Sequence, residues 1–275
     1  MTRFLRTVLS FAGPRGVALP IKCQSVSKIR HLPAAPTRTQ LLAGGAGITP
    51  HRHDEHQIIY AGSGVLAVTT DAGTWFAPGT RAIWVPAGTV HAHRAYGQLD
   101  LHLLGLPREI DPLGLTTPTV LPVSPLLREL ILAYTRDPAD TSDERLRLRG
   151  VLLDQLRVAP GGPVRLPAPT DPRLSAVCAA LDADPADNRT LAAFGAATGV
   201  GERTLSRLFR AELGMTFPQW RTQLRLHHAL RLLAEGMAVT TVAHRCGWAS
   251  ASAFVDVFRR AFGHTPGTIH RGHGV

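Results

Sequence analysis

Lysine is nearly missing from this chain: Lys22 and Lys28 are the two lysines among 30 basic residues, and the remainder are arginine. The plainest source of an arginine-rich surface is therefore a composition that hardly uses lysine. Cysteine is also scarce. Cys23, Cys178 and Cys246 are far apart and odd in number, which excludes a disulfide framework and predicts reduced thiols in a cytoplasm. No apolar run approaches the length of a membrane span, so a transmembrane helix is excluded and a soluble protein with no membrane partner is expected. Residues 1–40 contain no acid. The start MTRFLRTVLSFAGPRG has two arginines before a short apolar run, but Gly13 and Pro14 interrupt it. It also lacks a convincing small-residue cleavage site, so secretion is not expected.

The 275 residues suffice for two ordinary domains, and a 44% hydrophobic content allows each a core. The net charge of +10 is unevenly spread. Residues 1–40 carry +7, residues 41–170 carry −1 and residues 171–275 carry +4. Residues 200–275 alone hold ten arginines against four acids. A basic C-terminal segment fits a polyanionic partner such as nucleic acid, and it equally fits a solvated arginine-rich surface. Charge by itself does not separate the two.

Residues 1–36 show no periodicity and read as a basic disordered tail. From residue 38 to 104, short alternating runs punctuated by glycine and proline (QIIYAGSGVLAVTT, GTWFAP, TRAIWVPAG, QLDLHLLGL) predict an antiparallel sandwich or barrel over residues 37–115. Trp75, Phe76 and Trp84 are expected to fill its core. Residues 116–158 are expected to form a helical dimerisation or relay segment, on the helical periodicity of SPLLRELILAYT and SDERLRLRGVLLDQLRV. Residues 159–172, with five prolines and two glycines, read as a linker. Residues 173–270 read as entirely helical.

That helical part repeats. LAAFGAATGVGERTLSRLFRAELGMT (191–216) aligns with TTVAHRCGWASASAFVDVFRRAFGHT (240–265). Gly199 and Gly247 lie 48 apart. After one extra residue, Leu205/Phe254, Phe209/Phe258, Arg210/Arg259, Gly214/Gly263 and Thr216/Thr265 each lie 49 apart. Each copy reads as a short helix, a glycine turn and an amphipathic helix, the helix-turn-helix pattern. On a helical wheel Leu205, Leu208 and Phe209 form one buried stripe, with Arg203, Ser206, Arg207 and Arg210 opposite. In the second copy Phe254, Val257 and Phe258 are buried, and Ser252, Val255, Asp256 and Arg259 lie opposite. Between the copies, PQWRTQLRLHHALRLLAEG predicts one long helix with Pro218 in its first turn and Gly236 at its stop.

Residues 188–267 resemble the DNA-binding domain of the AraC/XylS family of bacterial transcription regulators. The resemblance rests on GVGERTLSRLFRAELGMTFPQW, on the helix ending LLAEG, and on VAHRCGWASASAFVDVFRRAFGHTPG, in that order. It implies that Arg203, Ser206 and Arg207, then Ala251, Ser252 and Asp256, read bases in double-stranded DNA. Arg210, Arg259 and Arg260 would contact phosphates, which position without specifying. Asp256 departs from the basic or amide residue often found at its position; beside DNA it is repelled by phosphate unless it accepts from a cytosine amino group. The resemblance extends over residues 37–267 and implies an effector-responsive homodimer, with RNA polymerase as a further partner.

HRHDEHQ (51–57) holds three histidines, two acids and a glutamine. His51-x-His53 followed by Gln57 and Gly62, then Gly79 and Pro86-x-Gly88-x-x-His91, resemble the two metal motifs of cupin barrels. The departure is Gln57, a neutral and weaker oxygen ligand where metal cupins usually carry glutamate. His91 and His93 share a face of another strand. His51, His53, Gln57 and His91 are thus candidates to hold Zn²⁺, Ni²⁺ or Fe²⁺, or to hydrogen-bond an organic effector. In this family the cupin is usually a non-catalytic sensor.

The fold expected is α+β and multidomain: an N-terminal cupin-like β-barrel, then an all-α DNA-binding domain with two helix-turn-helix motifs. The function expected is a one-component, sequence-specific transcription regulator without enzymatic activity. Its rivals are a metal-dependent cupin enzyme fused to a DNA-binding domain and a chromatin binder that ignores sequence.

Overall fold

The computed structural model describes residues 29–157 and 165–270. Cys23, most of the basic tail and half of the expected linker lie outside these residues.

Among the described residues nine strands form one sheet: β1 (Arg30–Leu32), β2 (Arg38–Leu42), β3 (Gly47–His53), β4 (His56–Thr70), β5 (Gly73–Pro78), β6 (Arg81–Val85), β7 (His91–Leu106), β8 (Thr119–Pro122) and β9 (Arg165–Pro167). The hydrogen-bonded path runs β1-β3-β7-β4-β5-β9, with β2 on β7, and β6 on both β4 and β8. Every pairing is antiparallel except β1 with β3. The expected barrel does not close. Its two ends, β1 and β9, are three-residue strands that terminate the ladder rather than joining it.

The long strands β4 and β7 organise this sheet. The pairing of β4 with β7 shifts register between Ala61 and Ser63 and again between Ser63 and Val65. Such bulges bend a strand. Before the bend β4 pairs with β6, and after it with β5. Both halves of β4 are buried, which explains its almost unbroken apolar run.

Three of the expected boundaries shift. Arg30–Leu32 was expected to be tail, yet it is a strand paired along His51–His53. Its side chains His31 and Asp54 stand 3.0 Å apart, and the Ala35 amide donates to Glu55 Oε2 at 2.9 Å. β8 lies within the segment expected to be helical, and β9 within the expected linker, where it pairs with β5. Main-chain pairing recruits these short segments whatever their side chains, so side-chain periodicity did not reveal them.

Helices α1 (Pro125–Arg136) and α2 (Asp143–Arg157) cover one part of the sheet. Leu127, Leu130, Ile131, Leu152 and Leu156 pack on Ile58, Tyr60, Trp84, Leu104 and Leu106. The start of α1 is set by Ser124, whose side chain accepts from the Leu127 amide, with Pro125 in the first turn. His102 of β7 is buried 2.8 Å from Thr135 of α1.

Seven further helices follow: α3 (Pro172–Ala183), α4 (Leu191–Thr198), α5 (Glu202–Leu213), α6 (Phe217–Ala234), α7 (Val239–Arg245), α8 (Ala251–Phe262) and α9 (Gly267–His270). α5 and α8 both stop at a left-handed glycine, Gly214 and Gly263, at the spacing of 49 seen in the sequence. Thr216 and Gln219 form a capping box that starts α6. One side of α6 joins Trp220 and Leu224 to Phe194, Leu205 and Phe209. Another side joins Leu226, Ala229, Leu230 and Leu233 to Phe254 and Phe258 of α8, and also to Val65, Phe76 and Tyr96 of the sheet. Each fully buried side chain of this size contributes about 1.5–3 kcal/mol. The core of the helical part is therefore continuous with the sheet through α6.

Candidate functional site

HRHDEHQ resolves into two sets of side chains. The acids leave the cluster, with Asp54 on His31 and Glu55 on the Ala35 amide. His56 stacks on Trp84 at 4.8 Å, accepts from the Ala87 amide and donates to the Arg108 carbonyl. His51, His53 and Gln57 are buried together with His91 and His93.

The backbone brings these five together. β3 and β7 pair so that His51 lies opposite His91 and Ile48 opposite His93. A side chain at Gly47 would place a Cβ 2.4 Å from the His93 carbonyl oxygen, so only glycine allows this close approach of β3 to β7. The Pro86–Thr89 turn docks on β3 through the Gly88 amide, which donates to the His53 carbonyl at 2.8 Å. That contact sets the start of β7 and hence the position of His91. Ring centroids of His51 and His91 are 4.4 Å apart, of His53 and His91 4.9 Å, and of His91 and His93 5.1 Å.

Three of the rings have a defined proton position. His51 Nδ1–H donates to the Thr49 carbonyl at 2.9 Å, His53 Nδ1–H to the Glu55 carbonyl at 2.7 Å, and His91 Nδ1–H to the Thr89 carbonyl at 2.9 Å. A carbonyl only accepts, so each neutral ring is left with a bare lone pair on Nε2. Gln57 Oε1 stands 3.3 Å from both His53 Nε2 and His91 Nε2. Either the amide turns its NH₂ toward these two lone pairs, or a cation stands among them.

Burial disfavours the charged form of His51, His91 and His93. It pushes His91 down to about 3, helped by the neighbouring His51, and holds His93 well below the ordinary imidazole range. His51 is lowered too, again chiefly by burial. Neutral imidazoles are the form that binds a metal.

The sequence-derived quartet therefore converges, but the tightest group differs from it. One ligand atom each from His51, His91 and His93 lies within 4.8 Å of the others, a set that omits His53 and Gln57. His93 was visible in the sequence as the second histidine of HAH, a mirror of HRH, but no motif position called for it.

The second candidate site lies on α5. Arg203, Arg207 and Arg210 are exposed, Ser206 is half-buried, and together with Thr204 and Ala211 they line an open groove of about 620 Å³. Among the described residues these three arginines have no carboxylate or carbonyl partner, whereas Arg173 and Arg189 are each paired with an aspartate two positions earlier. On α8, Ser252, Asp256, Arg259 and Arg260 are exposed and Ala251 is half-buried. Ser250 caps this helix by accepting from the Ala253 amide at 3.2 Å.

One residue that sequence reading missed joins the two helix pairs. Arg225 of α6 is buried and donates to the Pro185 carbonyl at 2.9 Å, the Asp187 carbonyl at 3.2 Å and Asn188 Oδ1 at 2.9 Å. It also abuts Gly247, where a Cβ would come within 2.6 Å of its guanidinium. It thus links the loop before α4 to the turn after α7. Cys178 and Cys246 are free and buried, and burial pushes the Cys246 thiol up to about 12, so it is not poised as a nucleophile. Among the described residues no helix is long and apolar enough to cross a membrane.

A family model described as a cupin domain matches residues 38–106, and one described as a helix-turn-helix domain matches residues 194–272. The HTH-type transcriptional regulator NimR of Escherichia coli is 33% identical over 222 residues, covering 79% of this chain and 80% of the relative. The HTH-type transcriptional regulator RipA of Corynebacterium glutamicum is 39% identical over 107 residues, covering 39% of this chain and 32% of the relative. Among solved structures, an AraC-type regulator from Chromobacterium violaceum covers 36% of this chain and 90% of its own, at 26% identity and a TM-score of 0.35. ToxT from Vibrio cholerae covers 88% of this chain and 100% of its own, at 11% identity and a TM-score of 0.38. With a cupin domain preceding the helices and a regulator similar along most of both chains, the protein belongs to the AraC family of HTH-type transcription regulators.

Proposed function

We propose that this chain is a one-component regulator in which helices α5 and α8 read DNA and the imidazole cluster of the sheet senses an effector. The observation that carries the DNA reading is the row of exposed, unneutralised arginines on α5. A duplex phosphate backbone supplies the missing anions. The pairs α4/α5 and α7/α8 act as two helix-turn-helix motifs, with α5 and α8 as recognition helices held at fixed separation by α6. Arg203, Ser206 and Arg207 face bases in the first, and Ala251, Ser252 and Asp256 in the second. Arg210, Arg259 and Arg260 contact phosphate. Asp256 makes the second motif the weaker reader except where it meets a cytosine amino group.

The domain division follows the same reading: a sensor built on the sheet, α1 and α2 as a dimerising or relaying element, and a DNA-binding unit from α3 onward. Leu126 of α1 and Leu146 and Val151 of α2 are exposed, which supports a homodimer contact there. RNA polymerase is the partner through which such a regulator acts, in the cytoplasm.

His51, His53, Gln57 and His91 suit a divalent ion such as Zn²⁺, Ni²⁺ or Fe²⁺. Three Nε2 lone pairs and an amide oxygen need a positive centre, and each Nδ1–H is already committed to a backbone carbonyl, as metal-bound histidines require. Bound there, the ion would cross-link β3, β4 and β7. The residues themselves orient the rings and exclude water. Both acids of HRHDEHQ point away from the cluster, so it offers no carboxylate, and we read it as a sensor rather than an enzyme.

Sequencing the genomic DNA bound by the protein, followed by footprinting on the recovered fragments, tests the reading. A defined protected motif is expected. Protection without sequence preference would leave a nonspecific chromatin binder.

A further inference from the structure

We infer that His93 is a metal ligand, and that the ion is held by His51, His91 and His93 rather than by the motif quartet of His51, His53, Gln57 and His91. The inference rests on the reading of the imidazole cluster as the sensor site and names which residues hold its ion.

The first ground is proximity. The three rings that bring ligand atoms within 4.8 Å of one another are His51, His91 and His93. The second is the unexplained state of His93. Its side chain is only 4% exposed, yet neither Nδ1 nor Nε2 has a hydrogen-bond partner among the described residues. A buried polar ring without a partner costs free energy, on the order of 1–3 kcal/mol, and an ion removes that cost by using a lone pair. His51, His53 and His91 each direct an Nδ1–H to a carbonyl, whereas His93 does not. Instead it is the one ring of the cluster free to turn either nitrogen inward.

The donors of this set are imidazole nitrogens and no carboxylate. Such a set favours Zn²⁺, Ni²⁺ or another late first-row divalent ion over Mg²⁺ or Mn²⁺.

His93 carries a regulatory consequence as well. The next residue on β7, Arg94, points to the opposite face, where its guanidinium lies 5.7 Å from the Tyr96 ring, and Arg231 of α6 lies 5.7 Å from the same ring. Ligation at His93 therefore fixes the strand one residue from its contact with the DNA-binding unit.

The test uses the full-length chain, purified without an affinity tag and stripped with a chelator. Zn²⁺ affinity is measured by calorimetry, and Co²⁺ is titrated as a spectroscopic probe of donor number. The wild type is expected to bind one ion per chain with the intense visible absorption of a four-coordinate nitrogen site. His93→Phe, which keeps a buried ring, is expected to lose affinity by about 100-fold or more. Circular dichroism of the stripped proteins establishes folding. Should His93→Phe fail to fold, imidazole ¹⁵N spectra of the wild type with and without Zn²⁺ decide the matter, since a ligating His93 nitrogen shifts strongly. Wild-type affinity in His93→Phe, an unshifted His93 nitrogen, or no ion bound by the wild type each overturns the inference. Footprinting of the metal-free protein keeps the two readings apart. A protected motif without ion binding overturns the metal assignment alone, and ion binding without any protected motif overturns the regulator reading alone.

Discussion

Phe76 of the sheet and His227 of α6 stack with ring centroids 4.4 Å apart and planes 23° from parallel. Both are buried, and Tyr96 lies beside Phe76 at 6.0 Å. This contact joins the sheet to α6, the helix that lies between the α4/α5 and α7/α8 pairs. On β5, Trp75 faces the same side as Val68 and His93, and Phe76 faces the other. The sensor side and the helix side of the sheet are thus one residue apart.

Phe76→Ala is expected to uncouple the halves. It should cost about 3–5 kcal/mol of stability by opening a cavity. DNA affinity should persist in part, because α5 packs in a core apart from Phe76, while the change in affinity on adding effector or metal shrinks. Anisotropy titrations with and without the ligand check this. A full response in Phe76→Ala would place the relay in α1 and α2 instead.

His227 gives a pH dependence of stability. Burial, with the neighbouring His228, lowers it to about 3, against about 6.5 in an unfolded chain. Below pH 6.5 the unfolded state binds a proton that the folded state refuses. Its contribution is therefore complete above about 6.5 and is lost toward about 3, at up to about 1.4 kcal/mol per pH unit. Denaturant titrations between about pH 7.5 and 5 should show a shallower slope in His227→Leu than in the wild type. Equal slopes would mean that His227 takes up protons in the folded protein. His91 and His93 act with the same sign, so the comparison isolates His227.

Arg207 and Arg210 should differ in kind. Arg207→Ala is expected to lose about 1–3 kcal/mol on the specific site and little on random DNA, as the loss of a base contact does. Arg210→Ala should weaken both alike and reduce the salt dependence, as the loss of a phosphate contact does. Equal losses on both DNAs in the two variants would show that these roles are misassigned.

Removal of residues 1–36 is expected to disturb the sensor. β1 lies within that stretch and pairs with His51–His53, so its loss exposes the edge that carries two of the cluster's rings. Removal of residues 1–28 spares β1 and should leave thermal stability unchanged. Equal melting temperatures for the two truncations would mean that β1 contributes nothing to the sheet.

Much of the helical half was legible because its signals are local. The spacing of 49 between Phe209 and Phe258, the stop glycines Gly214 and Gly263, and Pro218 in the first turn of α6 all act within a few residues of chain. The short strands β1, β8 and β9 carried no such signal, because main-chain pairing with a distant strand defines them.

For the candidate site, residue type and rough convergence were already in the sequence. The resemblance of HxH and PxGxxH to the two cupin motifs implied that His51, His53, Gln57 and His91 lie near one another. Which atoms meet depended on the packed structure. The close approach at Gly47, the carbonyls that take each Nδ1–H, and the bend in β4 decide that His93 joins the tight group while Asp54, Glu55 and His56 leave it. The union of the two halves was likewise a tertiary matter. His227 and Phe76 lie 151 positions apart, and no periodicity carries information over that distance. A side chain's type, helical phase and strand face are properties of its own neighbourhood in the chain, whereas its partner is set by the shape of the whole fold.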